Sequence, residues 1–324
     1  MPSNEPRDIP RSEQPKPADY LFDLDKALMS IVSVRSTIPE DALTARTLGP
    51  ERAGHGVVIS EKGLILTIGY LVTEAESVWL VDGQGRATAG YPLGFDQETG
   101  FGLIQALGSL DLPFLELGDS ADLEKDDPVI LAGAGGRENA IKAKVTSKRE
   151  FAGYWEYVLD EAIFTAPPHP TWGGAGLIGA DGKLLGIGSL FVQQVSGGNS
   201  EDRNMIVPID LLKPILPELQ NFGRVQKPAR PWLGMLATEM DDKLVVAGIV
   251  DGGPAKTADL RVGDFVVGVN GAPVTELADL FRAVWALGEA GVDVPLNLIR
   301  DEDQLEISIH SVSRADLLKS PQMH

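Results

Sequence analysis

The stretch from His169 to Ile187 constrains the fold of this chain more than any other. Thr171-Trp172-Gly173-Gly174-Ala175-Gly176 is a tight, small-residue turn that runs into the apolar pair Leu177-Ile178. Asp181-Gly182 then reverses the chain, and Leu184-Leu185-Gly186-Ile187 returns as a second apolar strand. An Asp-Gly pair between two apolar runs is a strong hairpin signal, because both residues tolerate the positive φ that a two-residue turn requires. The pattern is that of a buried β-hairpin held behind an exposed glycine turn. With 36 Gly and 22 Pro among 324 residues, the whole chain favours short strands over long helices.

The length implies two domains, or three, each able to bury its own core. There are 28 basic and 47 acidic residues, giving a net charge of −19, and such a surface repels phosphate backbones and anionic lipid. Nucleic acid is therefore not an expected partner. The chain has no cysteine, which excludes disulfides, thiolate metal sites and a cysteine nucleophile. No cofactor is implied. Residues 1–19, with Pro2, Pro6, Pro10, Pro15 and Pro17, read as a disordered arm without the apolar core of a secretory leader. No apolar run reaches the ~18 residues of a membrane span. A cytoplasmic protein is expected, or a periplasmic one if Met1 is not the native start.

Further motifs surround the hairpin. Gly54-His55-Gly56-Val57-Val58-Ile59 and Gly63-Leu64-Ile65-Leu66-Thr67 form an earlier hairpin, and Leu117-Gly118-Asp119-Ser120 ends a later strand. Together with Trp172–Ile187, these segments resemble the HtrA (DegP/DegS-like) trypsin-like serine proteases. The resemblance implies a mainly β fold: a chymotrypsin-like pair of six-stranded barrels over residues 20–220. It also aligns the family's catalytic histidine with Tyr70, its aspartate with Gly100 and its serine with Gly173. All three are changed inside flanks that still match. A tyrosine, with a pKa near ~10, keeps its proton at neutral pH and cannot serve as the base. Tyr20 and Phe22 sit where family members pack a trimer, or else they cover the end of a barrel.

Other residues near this place carry chemistry of their own. Thr171 with His169 is a nucleophile–base pair lacking an orienting carboxylate. His55 and His169 with Asp160 or Glu161 would be a metal set, but no metal-ligand spacing is visible and no metal is expected. Trp172 beside the nucleophile position would plug the old specificity pocket, or else form the floor of a new one. Pro214 and Pro217 are expected to break the short helix that closes this domain.

Residues 221–230 read as a linker, and residues 231–313 carry a second set of motifs. Asp251-Gly252-Gly253-Pro254-Ala255, Gly263-Asp264-Phe265-Val266 and Val269-Asn270-Gly271-Ala272-Pro273-Val274 resemble the HtrA-type PDZ domain. Thr275 is the expected cap of a helix carrying Leu277, Leu280, Phe281 and Val284 at helical spacing. The resemblance implies that a peptide adds as a strand between the opening strand and this helix. Its terminal carboxylate would be held by backbone N–H groups of Trp232, Leu233, Gly234 and Met235, with Phe281 and Val284 lining the side-chain pocket. Alternatively the groove holds the protein's own linker or tail. Residues 314–324 read as a tail.

The expected function is that of a catalytically inactive HtrA-like pseudoprotease. It would bind C-terminal or extended protein segments as a scaffold, chaperone or assembly subunit, as a homotrimer or within a dedicated complex. The alternative is an active serine- or threonine-type endopeptidase with relocated residues.

Overall fold

The computed structural model describes residues 8–196 and 199–320. They fall into two compact units, one of residues 8–149, 161–196, 199–225 and 319–320, the other of residues 150–160 and 226–318.

The first unit holds two closed six-stranded barrels. The first barrel is made of β1 (Ile31–Thr37), β2 (Glu51–Val58), β3 (Leu64–Ile68), β4 (Ser77–Val81), β5 (Ala87–Phe95) and β6 (Phe101–Ala106), closed in the order β1-β2-β3-β6-β5-β4. The second uses β7 (Pro128–Ala132), β8 (Ala140–Gly153), β9 (Tyr157–Ala166), β10 (Gly176–Ile178), β11 (Leu184–Ser196) and β12 (Asn199–Pro208), in the order β10-β11-β12-β9-β8-β7. Closure leaves no free strand edge. Apolar side chains from the strands fill the interiors, with β3 and β10 buried at every position, and Phe101 and Phe164 are among the largest side chains to be wholly buried there. Each such ring stabilises the fold by about 1.5–3 kcal/mol. The chain does reverse at Asp181-Gly182, but residues 179–183 connect β10 to β11 instead of the expected two-residue turn: Gly182 is at positive φ, Asp181 is not, and the Gly182 N–H donates to the Gly179 carbonyl at 3.1 Å.

The second unit is a sheet with helices. Strands β13 (Met235–Met240), β14 (Lys243–Ile249), β15 (Phe265–Val269), β16 (Ala272–Pro273), β17 (Asp293–Arg300) and β18 (Asp303–His310) pair in the order β13-β14-β15-β17-β18, with β16 on β15. Asn270 and Gly271, both at positive φ, make the expected two-residue turn between β15 and β16. Asp264 is buried and takes two hydrogen bonds from the Arg300 guanidinium, at 2.7 and 2.6 Å, and one from the Arg261 N–H. The helix Leu277–Trp285 buries Leu280, Phe281 and Val284. Its first N–H, on Leu277, is satisfied by the Glu239 carboxylate at 2.8 Å, so Glu239 rather than Thr275 closes this end.

Three boundaries differ from the expectation. Residues 8–19 are not a loose arm. Ile9 is buried in the core of the second barrel, and the Lys142 N–H donates to the Glu13 carbonyl at 2.8 Å. Prolines exclude long helices and strands there, but they allow a 3-10 turn at Pro17–Asp19 and do not stop one apolar side chain from packing. The remainder of that segment, residues 1–7, lies outside the described residues, as does the end of the expected tail, 321–324. The expected linker begins inside a helix: Leu216–Phe222 is helical, with Pro217 in its first turn, where the missing N–H costs nothing. Residues 150–160, expected within the barrel domain, are the end of the β8–β9 hairpin, with its turn at residues 154–156, and group with the second unit.

Candidate functional site

Two places gather the side chains singled out above. The first lies between the two barrels. The β2 N–H of His55 donates to the Gly173 carbonyl at 2.8 Å, which binds the glycine turn to the first barrel. The turn is also tied to β11, because the Gly174 N–H donates to the Gly188 carbonyl at 2.9 Å. Tyr70 stands on a short 3-10 turn, Gly69–Leu71, at the end of β3. Buried Arg52 pins that turn by donating to the carbonyls of Tyr70 (2.6 Å) and Thr73 (3.1 Å). It also donates to the Thr44 hydroxyl at 2.7 Å, which in turn donates to the Glu74 carboxylate at 2.6 Å.

Tyr70 and Gly173 meet. A Cβ built on Gly173 would lie 2.7 Å from the Tyr70 hydroxyl oxygen, closer than such atoms pack. That hydroxyl donates to the Ser189 carbonyl at 2.9 Å, so it is held in place, and burial raises its pKa above the ordinary value for a phenol. Gly100 sits nearby through backbone alone: its carbonyl accepts from the Gly69 N–H at 2.6 Å, and its own N–H donates to Asp96.

One cluster here was only half visible in the sequence. Thr171 joins His169 but also His55, which is 116 residues away. The Ala134 N–H donates to His55 Nδ1 at 3.1 Å, so the neutral ring carries its proton on Nε2 and donates it to Thr171 Oγ1 at 3.0 Å. His169 is held the same way, since its Nδ1 accepts the Thr171 N–H at 3.1 Å and its Nε2 faces the Asn139 carbonyl at 3.0 Å. The Thr171 hydroxyl is left facing His169 Nδ1 at 3.4 Å. Among the described residues, no carboxylate hydrogen-bonds to either ring. Burial, together with the neighbouring His169, pushes the His55 pKa down to about 4, and burial lowers His169 as well. Such rings bind protons weakly.

The metal set is not assembled. Asp160 pairs with Arg282, and Glu161 pairs with Lys148. Among the described residues, no group of three or more His, Asp or Glu side chains is placed to hold an ion. Trp172 packs its ring 5.5 Å from Phe191 of β11. Tyr20 and Phe22 lie 5.4 Å apart, and Phe22 covers Gly182 in the β10–β11 turn, where a Cβ would meet its ring at 2.7 Å.

The sign of the pH dependence follows from the lowered histidines. Their folded-state pKa lies below the unfolded value of 6.5, so the stabilisation is present above about pH 6.5 and is lost as pH falls towards 4. His55 alone corresponds to about 3 kcal/mol. Urea midpoints of the first unit are expected to fall between pH 7 and pH 4.5, and a His55→Asn variant should flatten that slope. An equally steep slope in the variant would place the titration elsewhere.

The second place is the opening loop of the second unit. Trp232 is buried, and its N–H donates to Val312 at 3.0 Å. The next three residues turn their N–H groups to one point, with Gly234 at φ +73 making the concavity. Phe281 and Val284 lie in the same buried cluster as Met235. Of the four expected N–H groups, those of Leu233, Gly234 and Met235 converge on one cradle while that of Trp232 is taken by Val312, and a carboxylate occupies the cradle. It belongs to Glu156, which the sequence did not mark: Oε1 accepts from Gly234 at 2.8 Å, Met235 at 3.1 Å and Leu233 at 3.2 Å, and Oε2 from Leu233 at 3.1 Å.

Comparison with known proteins agrees with this architecture. Residues 54–187 match the trypsin-like peptidase domain and residues 231–310 the PDZ domain. The chain is thus a trypsin-like peptidase domain followed by a PDZ domain, and its homologues are the DegP and DegQ serine endoproteases of the HtrA type. A probable periplasmic serine endoprotease DegP-like of Pseudomonas fluorescens is 27% identical over 278 residues, 81% of this chain and 57% of that protein. The periplasmic pH-dependent serine endoprotease DegQ of Escherichia coli is 25% identical over 321 residues, 88% of this chain and 68% of that one. This chain thus spans little more than half the length of its Pseudomonas relative. Among solved structures, the HtrA-type protease AlgW with a tripeptide shares the fold, with a TM-score of 0.53 at 19% identity, covering 95% of this chain and 99% of that one. These relatives overturn the expectation of a cytoplasmic protein, since the homologues are described as periplasmic. No helix among the described residues is long and apolar enough to cross a membrane.

Proposed function

We infer that this chain is a peptide-binding HtrA homologue that does not hydrolyse its ligands. It would act as a scaffold, chaperone or assembly subunit in the compartment of its periplasmic relatives. The observation that carries this reading is the Tyr70–Gly173 contact: the tyrosine hydroxyl fills the space in which a nucleophile on residue 173 would stand. Serine-type catalysis also needs an oxyanion site formed by the N–H of the nucleophile and that of the residue two before it. The second of these, on Thr171, is bonded to His169. Aligning Tyr70, Gly100 and Gly173 with the family's triad leaves no base, no orienting carboxylate and no nucleophile, and triad members act as a unit. The solved AlgW structures with a tripeptide and a decapeptide support peptide capture as the retained activity. The fold of Phe22 over Gly182 supports a role in covering the barrel rather than in a trimer.

One observation favours the second reading, a relocated endopeptidase: Thr171 Oγ1 lies 3.0 Å from His55 Nε2. That nitrogen carries the proton, however, and a ring with a pKa near 4 is a poor base at neutral pH. A fluorophosphonate probe is expected to leave the purified protein unlabelled. Labelling that disappears in Thr171→Ala would establish the endopeptidase instead.

A further inference from the structure

We propose that the PDZ groove carries a ligand built into the same chain: Glu156 occupies the seat of a peptide's terminal carboxylate, and a free C-terminus enters only by displacing it. The inference rests on reading the groove as peptide-binding and deepens that reading.

Four features of the second unit carry it. The Glu156 carboxylate takes the three N–H groups that converge at Leu233, Gly234 and Met235, the arrangement that captures a C-terminal carboxylate. Two residues earlier, the Tyr154 carbonyl accepts the Ala237 N–H at 3.0 Å. Ala237 lies two residues after Met235 on β13, so the segment Tyr154-Trp155-Glu156 pairs with the strand as an added peptide would, with Glu156 in the last position. Val158 is buried in the cluster that contains Met235, Phe281 and Val284. Finally, Arg282 on the helix bonds both arms of the hairpin, reaching Glu150 at 2.5 Å and Asp160 at 2.6 Å.

The backbone at Glu156 shows how a side chain stands in for a chain end. Its φ of +61 belongs to the left-handed region, which turns the chain away at the point where a peptide would stop. The carboxylate then extends into the cradle as the terminus would. Burial pushes its pKa up to about 7, while the three N–H groups and Arg314 act in the opposite direction. A seat filled in nearly every molecule weakens the apparent affinity for any outside ligand in proportion to the open fraction.

The test uses the full-length protein and a fluorescent hexapeptide that copies residues 151–155 and ends in alanine (Phe-Ala-Gly-Tyr-Trp-Ala), so that its one carboxylate is the C-terminus, which is either free or amidated. Glu156→Gly suits the positive φ and removes the carboxylate, so it keeps the fold. The variant is expected to bind the free-acid peptide at least ~10-fold more tightly than the wild type, and the amide weakly. Hydrogen exchange at the amides of Leu233, Gly234 and Met235 is expected to be slow in the wild type and fast in the variant. Equal peptide affinity in both proteins would overturn the built-in ligand and leave the peptide-binding reading standing. Fast exchange in the wild type would also overturn it. Slow exchange in the wild type with no peptide binding to either protein would support the occupied seat and count against the peptide-binding reading.

Discussion

Gly174→Ala is expected to leave the first unit without a stable fold. Gly174 has φ +79, a region that L side chains rarely adopt. Its Cβ would fall 1.9 Å from the His55 carbonyl oxygen and 2.7 Å from the Thr67 hydroxyl. Neither neighbour is free to yield, because the Thr67 hydroxyl donates to that same carbonyl at 2.6 Å and both residues are buried. Backbone strain and overlap against fixed atoms together place the cost above about 4 kcal/mol, a large share of the 5–15 kcal/mol that holds a typical domain. Gly136→Ala separates the two contributions. Gly136 has φ +71 but no atom within 4 Å of a built Cβ, so only the strain, about 1 kcal/mol, is expected. Urea unfolding followed by circular dichroism checks both variants. Similar midpoints would show that the turn is not locked against β2.

Gly173→Ser carries the second large effect, and its meaning lies in a double-mutant cycle with Tyr70. The serine Cβ would overlap the Tyr70 hydroxyl at 2.7 Å, while the ring carbon behind that hydroxyl lies at 3.6 Å, an ordinary contact. Gly173→Ser alone is expected to cost about 2 kcal/mol. In a Tyr70→Phe background most of that cost should vanish, giving a coupling energy of about 1–2 kcal/mol. Additive effects would mean that the two positions changed independently of one another.

The two sites were legible in the sequence to different degrees, for physical reasons. Turn chemistry is local, so Asp181-Gly182 and Asn270-Gly271 marked the places where the chain reverses, and the apolar runs beside them marked the strands. Tyr70, Gly100 and Gly173 could be picked out only by resemblance, and the overlap between Tyr70 and Gly173 needed the fold to appear. His55 and Thr171 share a hydrogen bond across 116 residues that no spacing rule reports. Glu156 is harder still. In the sequence it is one acid among 47 acidic residues, in an aromatic turn. Its role arises only because the β8–β9 hairpin places it against three N–H groups some eighty residues further along. Ile9 shows the opposite error: a proline-rich composition hid a single well-packed side chain.

Casein turnover by purified full-length protein tests the central claim most directly, with products read by mass spectrometry between about pH 5 and 8, the range in which a histidine base would act. The account predicts intact casein throughout, for the wild type and Thr171→Ala alike. Cleavage that survives purification and is lost in Thr171→Ala would contradict it, and would place a working nucleophile between His55 and His169.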